Sequence, residues 1–147
     1  MSNSATTSFW NFLNQTAICI PIIQRDYAQG RSGKEELRKR FLGALKDALK
    51  NQETLKLDFA YGTFSNSTFY PLDGQQRLTT LWLLHWYIAY KADKLKEAEA
   101  TLQKFSYATR VSAREFCNKL CTLAQIPEGI SNILKHITNQ NWFYSAW

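Results

Sequence analysis

The sequence predicts an α+β protein. Its first part, residues 1–92, alternates helices and strands in an α/β-like order, and its second part, residues 93–147, is helical. Short β-prone runs bounded by proline or turn residues occur in the first part. Apolar residues recur with the helical period in both parts. Hydrophobic residues make up 45% of the 147 residues, which is enough for one folded core.

The elements of the first part follow from these signals. We predict a helix over residues 8–15, a strand over 17–20, a helix from a Ser-x-x-Glu capping box at 32–35 to about 49, a strand over 55–64, a turn at 65–67 and a strand over 68–72. A helix from Gly74 or Gln75 to about Ala92 is apolar on most sides. Such a helix is typically buried, so we expect it to be the central one.

The second part is expected to contain three helices. We predict one from near residue 93 to about 105, one from a capping box at 112–115 to 124, and a short one over 130–138. Four aromatic residues lie within residues 141–147. Chain ends are usually polar, so this end either packs back on the core or belongs to a shortened sequence. We expect the latter.

Charge and cysteine content limit the class of protein. The net charge of +6 permits contact with nucleic acid or nucleotides, and it equally fits an ordinary basic protein. Three cysteines without a regular framework favour a reducing compartment. Cys117 and Cys121 fit buried thiols better than a metal pair. No signal peptide is recognisable, and the longest apolar run is too short to span a bilayer. We therefore expect a cytoplasmic protein without a membrane partner.

Five residues at a predicted strand-to-helix junction form the first candidate site: Asp73, Gly74, Gln75, Gln76 and Arg77. Asp73 and Gln76 have the spacing of a capping box, so a purely structural role is one interpretation. Arg77, however, would lie in the first turn, where the helix dipole disfavours a cation unless an anion is bound. Arginine suits phosphate, the two amides can orient a ligand, and a carboxylate beside phosphate can hold Mg²⁺ or orient water.

A second candidate site is the loop after the first strand, with Gln24, Arg25 and Tyr27. It could equally be a surface loop in which Arg25 pairs with Asp26. If the sheet brings both loops to one edge, they form a polar cleft, since ligands of α/β folds bind at such edges. Two further arginines near a predicted helix start, Arg110 and Arg114, could close the cleft, or they could simply be solvated.

These motifs resemble a known family. The segment Ile20-Pro-Ile-Ile-Gln-Arg-Asp-Tyr27 followed by Leu72-Asp-Gly-Gln-Gln-Arg-Leu-Thr-Thr-Leu81 is similar to the N-terminal domain of GmrSD-type restriction enzymes, type IV enzymes that depend on DNA modification. Residues 59–62, 107–117 and 141–144 resemble further segments of that family. The family was long described as a domain of unknown function, and its fold is ParB/sulfiredoxin-like.

The resemblance implies a nucleotide pocket, with hydrolysis of a nucleoside triphosphate (GTP, ATP, CTP or UTP) tied to the Asp-Gly-Gln-Gln-Arg motif. Asp73 and Arg77 would be catalytic and Asp73 would hold Mg²⁺. Gly74, Gln75, Gln76 and Arg77 would bind the nucleotide, with Gln24, Arg25 and Tyr27 across from them. Relatives regulate a separate nuclease domain, in cis or in a partner subunit, that restricts phage or foreign DNA. The alternative is a non-catalytic module that senses DNA or binds a protein through the basic helix from Lys34 to Lys50.

Overall fold

The computed structural model describes residues 6–21, 32–58, 60–109 and 111–144. Within these ranges the chain forms helices and strands in both of its predicted parts. In chain order they are α1 (Phe9–Gln15), β1 (Ala17–Ile20), α2 (Glu35–Asn51), β2 (Gly62–Ser65), β3 (Thr68–Pro71), α3 (Gln75–Lys91), α4 (Leu95–Leu102), β4 (Phe105–Tyr107), α5 (Val111–Cys121) and α6 (Ile133–Thr138). The predicted α+β class is confirmed.

The four strands form one mixed sheet in the order β2-β3-β1-β4. β1 runs parallel to both β3 and β4, and β2 pairs with β3 as an antiparallel hairpin. The hairpin turn consists of Asn66 and Ser67, both with positive φ. Two central residues with positive φ are what a type I′ turn requires, and this turn matches the twist of the strands.

α3 is the central helix, as predicted. Its indole groups join it to the surrounding helices: Trp82 Nε1 donates to the Leu102 carbonyl at 2.9 Å, and Trp86 Nε1 donates to the Leu120 carbonyl at 2.7 Å. α3 is not buried on all sides, because Tyr87 and Ile88 are 43% and 49% exposed. Its buried face packs with α1, β1, β4, α4 and α5 in one core.

Several predicted elements differ from the structure in their bounds, and two of these differences affect the sheet. The strand expected over residues 55–64 is irregular up to residue 58, and β2 begins only at Gly62. The helix expected to reach Phe105 ends at Leu102, and Phe105–Tyr107 forms β4 instead. Both aromatic residues of this strand are buried on one side of the sheet, which stabilises the extended conformation. The sheet therefore includes a strand from residues 93–147.

Neither predicted capping box forms. Gly33 adopts a φ of 83° after Ser32, so that Lys34 becomes the N-cap of α2 without a side-chain hydrogen bond. α5 begins at Val111, so Ser112 lies inside its first turn. Ser8 does cap a helix, because its hydroxyl accepts a hydrogen bond from the Asn11 amide at 3.2 Å.

α2 differs from the other long helices because none of its residues is buried. Leu37 and Leu49 are 50% and 70% exposed, although they lie on its apolar face. At the other end of the described chain, Trp142 and Phe143 pack against the core beside Phe116. Within the described residues, no helix combines the length and apolar character that crossing a membrane requires.

Candidate functional site

Three parallel strands end at one edge of the sheet, and the candidate motifs follow these ends. Ile20 of β1 lies opposite Tyr107 of β4, and the Ala108 amide donates to the Ile20 carbonyl at 2.9 Å. β3 ends at Pro71, immediately before the motif at residues 73–77. Because β1 is parallel to both neighbours, the chain leaves all three strands on the same side. This is the arrangement in which α/β folds bind ligands.

The junction between β3 and α3 is a tight turn around Gly74. Gly74 is the N-cap of α3 with a φ of 80°, and it is buried. The Leu72 and Asp73 amides both donate to the Tyr61 carbonyl, at 2.8 and 3.1 Å. A Cβ on Gly74 would lie 2.9 Å from the Cβ of Ala60, so this position has no room for a side chain.

The interpretation of Asp73 as the helix cap is wrong. Among the described residues no side chain caps α3, and Asp73 precedes the N-cap position, which Gly74 occupies in a left-handed conformation. An aspartate cap requires extended backbone at the residue directly before the helix, and the glycine turn removes Asp73 from that place. Asp73 is exposed at the rim of the turn. Its carboxylate therefore makes no capping hydrogen bond with the first turn of α3.

Arg77 curls back toward the start of α3. Its Nη2 atom lies 3.4 Å from the position that a Cβ on Gly74 would take. The side chain is half-buried, so its charge is held close to the positive end of the helix dipole. The first amides of a helix and a guanidinium group together attract an anion. This turn is therefore chemically suited to a phosphate group.

Gln75 is held in place through both its main chain and its side chain, and Gln76 is held through its main chain. The Gln75 side-chain amide donates to the Pro71 carbonyl at 2.9 Å, which commits one of its hydrogens to the fold. The hydroxyl groups of Thr79 and Thr80 donate to the carbonyls of Gln75 and Gln76, at 3.0 and 2.9 Å. These bonds fix the first turn of α3 at the end of β3.

The remaining predicted site residues are placed only in part. Gln24, Arg25, Tyr27 and Arg110 lie outside the described residues, so their place in the site stays a prediction. Arg114 is exposed in the first turns of α5, the helix that follows β4. Arg114 therefore comes after the carboxyl end of β4 in the chain, and the motif of residues 73–77 comes after the carboxyl end of β3 at the same edge of the sheet.

The described residues offer no ready-made metal centre. No three of their His, Cys, Asp and Glu side chains come together as a group that could hold an ion. Cys117 and Cys121 are buried in α5, as predicted. The pKa of both thiols is raised to about 12, first of all by burial; the neighbouring Cys121 contributes to the shift of Cys117, and the charge of Glu99 contributes to that of Cys121. They remain protonated at neutral pH, which is unfavourable for metal binding.

Some residues behind the site were not foreseen. Thr79 and Thr80 could have been found, since threonine four residues after a helical residue commonly bonds back to its carbonyl. Tyr107, whose hydroxyl lies 3.1 Å from that of Thr79, could not have been found without knowing β4. Ala60, which closes the space beside Gly74, shows no signal in the sequence.

Comparison with known proteins gives one family. The family described as the GmrSD restriction endonuclease, N-terminal domain, matches residues 9–144. The match covers every helix and strand of the structure. No curated protein and no solved structure gives a significant match to the chain.

Proposed function

The chain belongs to the family of GmrSD restriction endonuclease N-terminal domains, and from that premise we propose that it binds and hydrolyses a nucleoside triphosphate as the regulatory domain of a DNA restriction protein. The observation that carries the proposal is the turn at Gly74. There Arg77 folds back over a helix start that no side chain of the described residues caps, at the edge where three parallel strands end. A ParB/sulfiredoxin-like arrangement of the sheet is part of the same proposal.

Each motif residue has a role in this proposal. Arg77 binds phosphate oxygens together with the amides of the first turn of α3, and Arg25 binds them from the loop after β1. Gln76 and the remaining polar atoms of the Gln75 side chain orient the nucleotide. Gln24 and Tyr27 form the opposite wall, and Arg110 and Arg114 close the site from the helical part.

Mg²⁺ fits the proposed site only together with the nucleotide. Asp73 is one exposed carboxylate whose oxygens do not cap the helix, and a single carboxylate completed by phosphate oxygens is a common way of holding Mg²⁺. When bound, the ion would neutralise phosphate charge during hydrolysis. Asp73 itself would hold the ion or accept a hydrogen bond from the attacking water.

The direct test is calorimetric titration with GTP, ATP, CTP and UTP, with and without Mg²⁺. We expect the wild-type chain to bind at least one of them. Arg77→Ala should weaken binding at least about tenfold, because a charge-assisted bidentate contact contributes about 1.5–3 kcal/mol. Arg40→Ala, which removes an exposed arginine from α2, is the matched control. Equal affinity of the wild type and Arg77→Ala would refute the assignment.

One observation favours a second candidate function, binding of DNA or an acidic partner through α2. The helix has no buried residue, so its cationic side chains reach solvent with little hindrance. Its exposed basic residues, with the N-cap, are Lys34, Lys39, Arg40, Lys46 and Lys50. DNA binding that weakens steeply with salt, survives Asp73→Ala and is lost when Arg38, Lys39 and Arg40 are replaced by glutamate would support this function.

A further inference from the structure

A buried hydrogen bond joins the end of the sheet to the first turns of α3. The hydroxyl oxygens of Tyr107 and Thr79 are 3.1 Å apart, and both residues are less than 10% exposed. Thr79 has one hydroxyl hydrogen, which it donates to the Gln75 carbonyl at 3.0 Å. Tyr107 must therefore be the donor in the other bond. The result is a chain of hydrogen bonds from Tyr107 through Thr79 to the Gln75 carbonyl.

This chain of hydrogen bonds is one of two interactions that hold Gln75 in place. The Gln75 side chain donates to Pro71, the last residue of β3, and the Gln75 carbonyl is reached through Thr79 from Tyr107, the last residue of β4. β3 and β4 are the two parallel neighbours of β1. The first turn of α3 is thus fastened to the strand ends on both sides of β1, the strand that leads to the loop with Arg25.

We infer that Tyr107 is a positioning residue for the phosphate-binding turn and acts through Thr79 and Gln75. The inference rests on the proposed function and names a residue that helps to orient its site. Hydrogen bonds in such a chain polarise and strengthen one another, so loss of the first donor loosens the second. A freer turn presents its amides and Arg77 less accurately to phosphate, and sites of this kind tolerate little misplacement.

The structure supplies a matched control in Tyr90. This residue is also almost completely buried, and its hydroxyl also donates a hydrogen bond to a neighbour, the Ala124 carbonyl at 2.9 Å. Tyr90 lies at the far end of α3 from Gln75. Replacing either tyrosine by phenylalanine removes one buried hydroxyl, and only one of the two is connected to the candidate site.

The experiment compares the variants Tyr107→Phe and Tyr90→Phe in the whole chain. We expect a similar loss of Tm in both variants. Only Tyr107→Phe should bind the triphosphate more weakly, by about threefold to tenfold, as the loss of one hydrogen bond predicts. Only Tyr107→Phe should also show faster amide hydrogen exchange of Leu78 and Thr79. The Leu78 amide is a suitable reporter, since it donates to the Gly74 carbonyl at 2.9 Å. GTP, ATP, CTP and UTP are the probes, each with Mg²⁺.

A second pair of variants guards against misfolding of Tyr107→Phe. Thr79→Val keeps the shape of the side chain and removes its hydroxyl, whereas Thr79→Ser keeps the hydroxyl. We expect the valine variant to reproduce the effect of Tyr107→Phe and the serine variant to approach the wild type. Wild-type affinity and exchange in Tyr107→Phe, or in Thr79→Val, would overturn the inference. If the wild type binds none of the four triphosphates, the proposed function fails, while the exchange rates still decide the positioning role.

Discussion

Gly74→Ala tests whether the turn before α3 is as tightly constrained as its geometry indicates. Two costs should add. The φ of 80° places any other residue in the left-handed region, at about 1–2 kcal/mol. The new Cβ would also lie 2.9 Å from the Cβ of Ala60, and overpacking of this kind costs about 1–3 kcal/mol. The expected loss in the free energy of unfolding is therefore about 2–5 kcal/mol.

A matched glycine separates the two costs. Gly129 has a φ of 90°, but a Cβ there would meet no atom within 4 Å, so Gly129→Ala carries the backbone cost alone. Urea unfolding of both variants should show Gly74→Ala to be less stable by about 1–3 kcal/mol. Adding Ala60→Gly should recover part of that difference. Equal losses in the two alanine variants, or no coupling with residue 60, would refute the close contact.

Three further predictions concern the rest of the molecule. Gly62→Ala should cost at least about 3 kcal/mol in urea unfolding, because its Cβ would overlap a main-chain carbonyl of β3; a loss below about 1 kcal/mol would contradict this. Stability should fall from pH 9 to 12, since the unfolded thiols of Cys117 and Cys121 lose protons near pH 9 and the folded ones, with a pKa of about 12, retain them. The free energy of unfolding should decrease by about 1.4 kcal/mol per pH unit for each thiol. In melting experiments at several pH values, the variant with both cysteines replaced by alanine should show a smaller decrease. Leu49→Gln should change the Tm by no more than about 2 °C, because Leu49 is exposed. Leu102→Ala, at a fully buried position, should lower the free energy of unfolding by about 2–5 kcal/mol. A similar loss of stability in both variants would contradict the exposure of α2.

The sequence was most informative where its signals were local and long. α3 has seventeen residues, and its bounds, Gln75–Lys91, agree with the predicted ones to within a residue. The hairpin turn and the strand before the motif were equally accessible, because turn residues mark both ends. These local signals also identified residues 73–77 as a strand-to-helix junction.

The errors arose where a distant contact or an unusual backbone angle decides the structure. β4 has three residues, and its partner β1 lies far away in the sequence, so no local pattern could predict it. At both Ser32 and Asp73 the capping pattern was present. In each case a glycine with positive φ displaced the polar residue from the cap position. The hydrogen bonds of Tyr107 depend on β4 and were hidden for the same reason.

The pairing of β4 with β1 also has a consequence for how the chain folds. Ile18 and Phe105 are partners although they are 87 positions apart, so this pairing closes a long loop and raises the contact order of the chain. During synthesis β4, the second neighbour of β1, emerges only after α3 and α4. The hairpin of β2 and β3 can form early, since its turn is local. The edge that carries the candidate site would then be completed late, when β4 adds to the sheet and Tyr107 reaches Thr79.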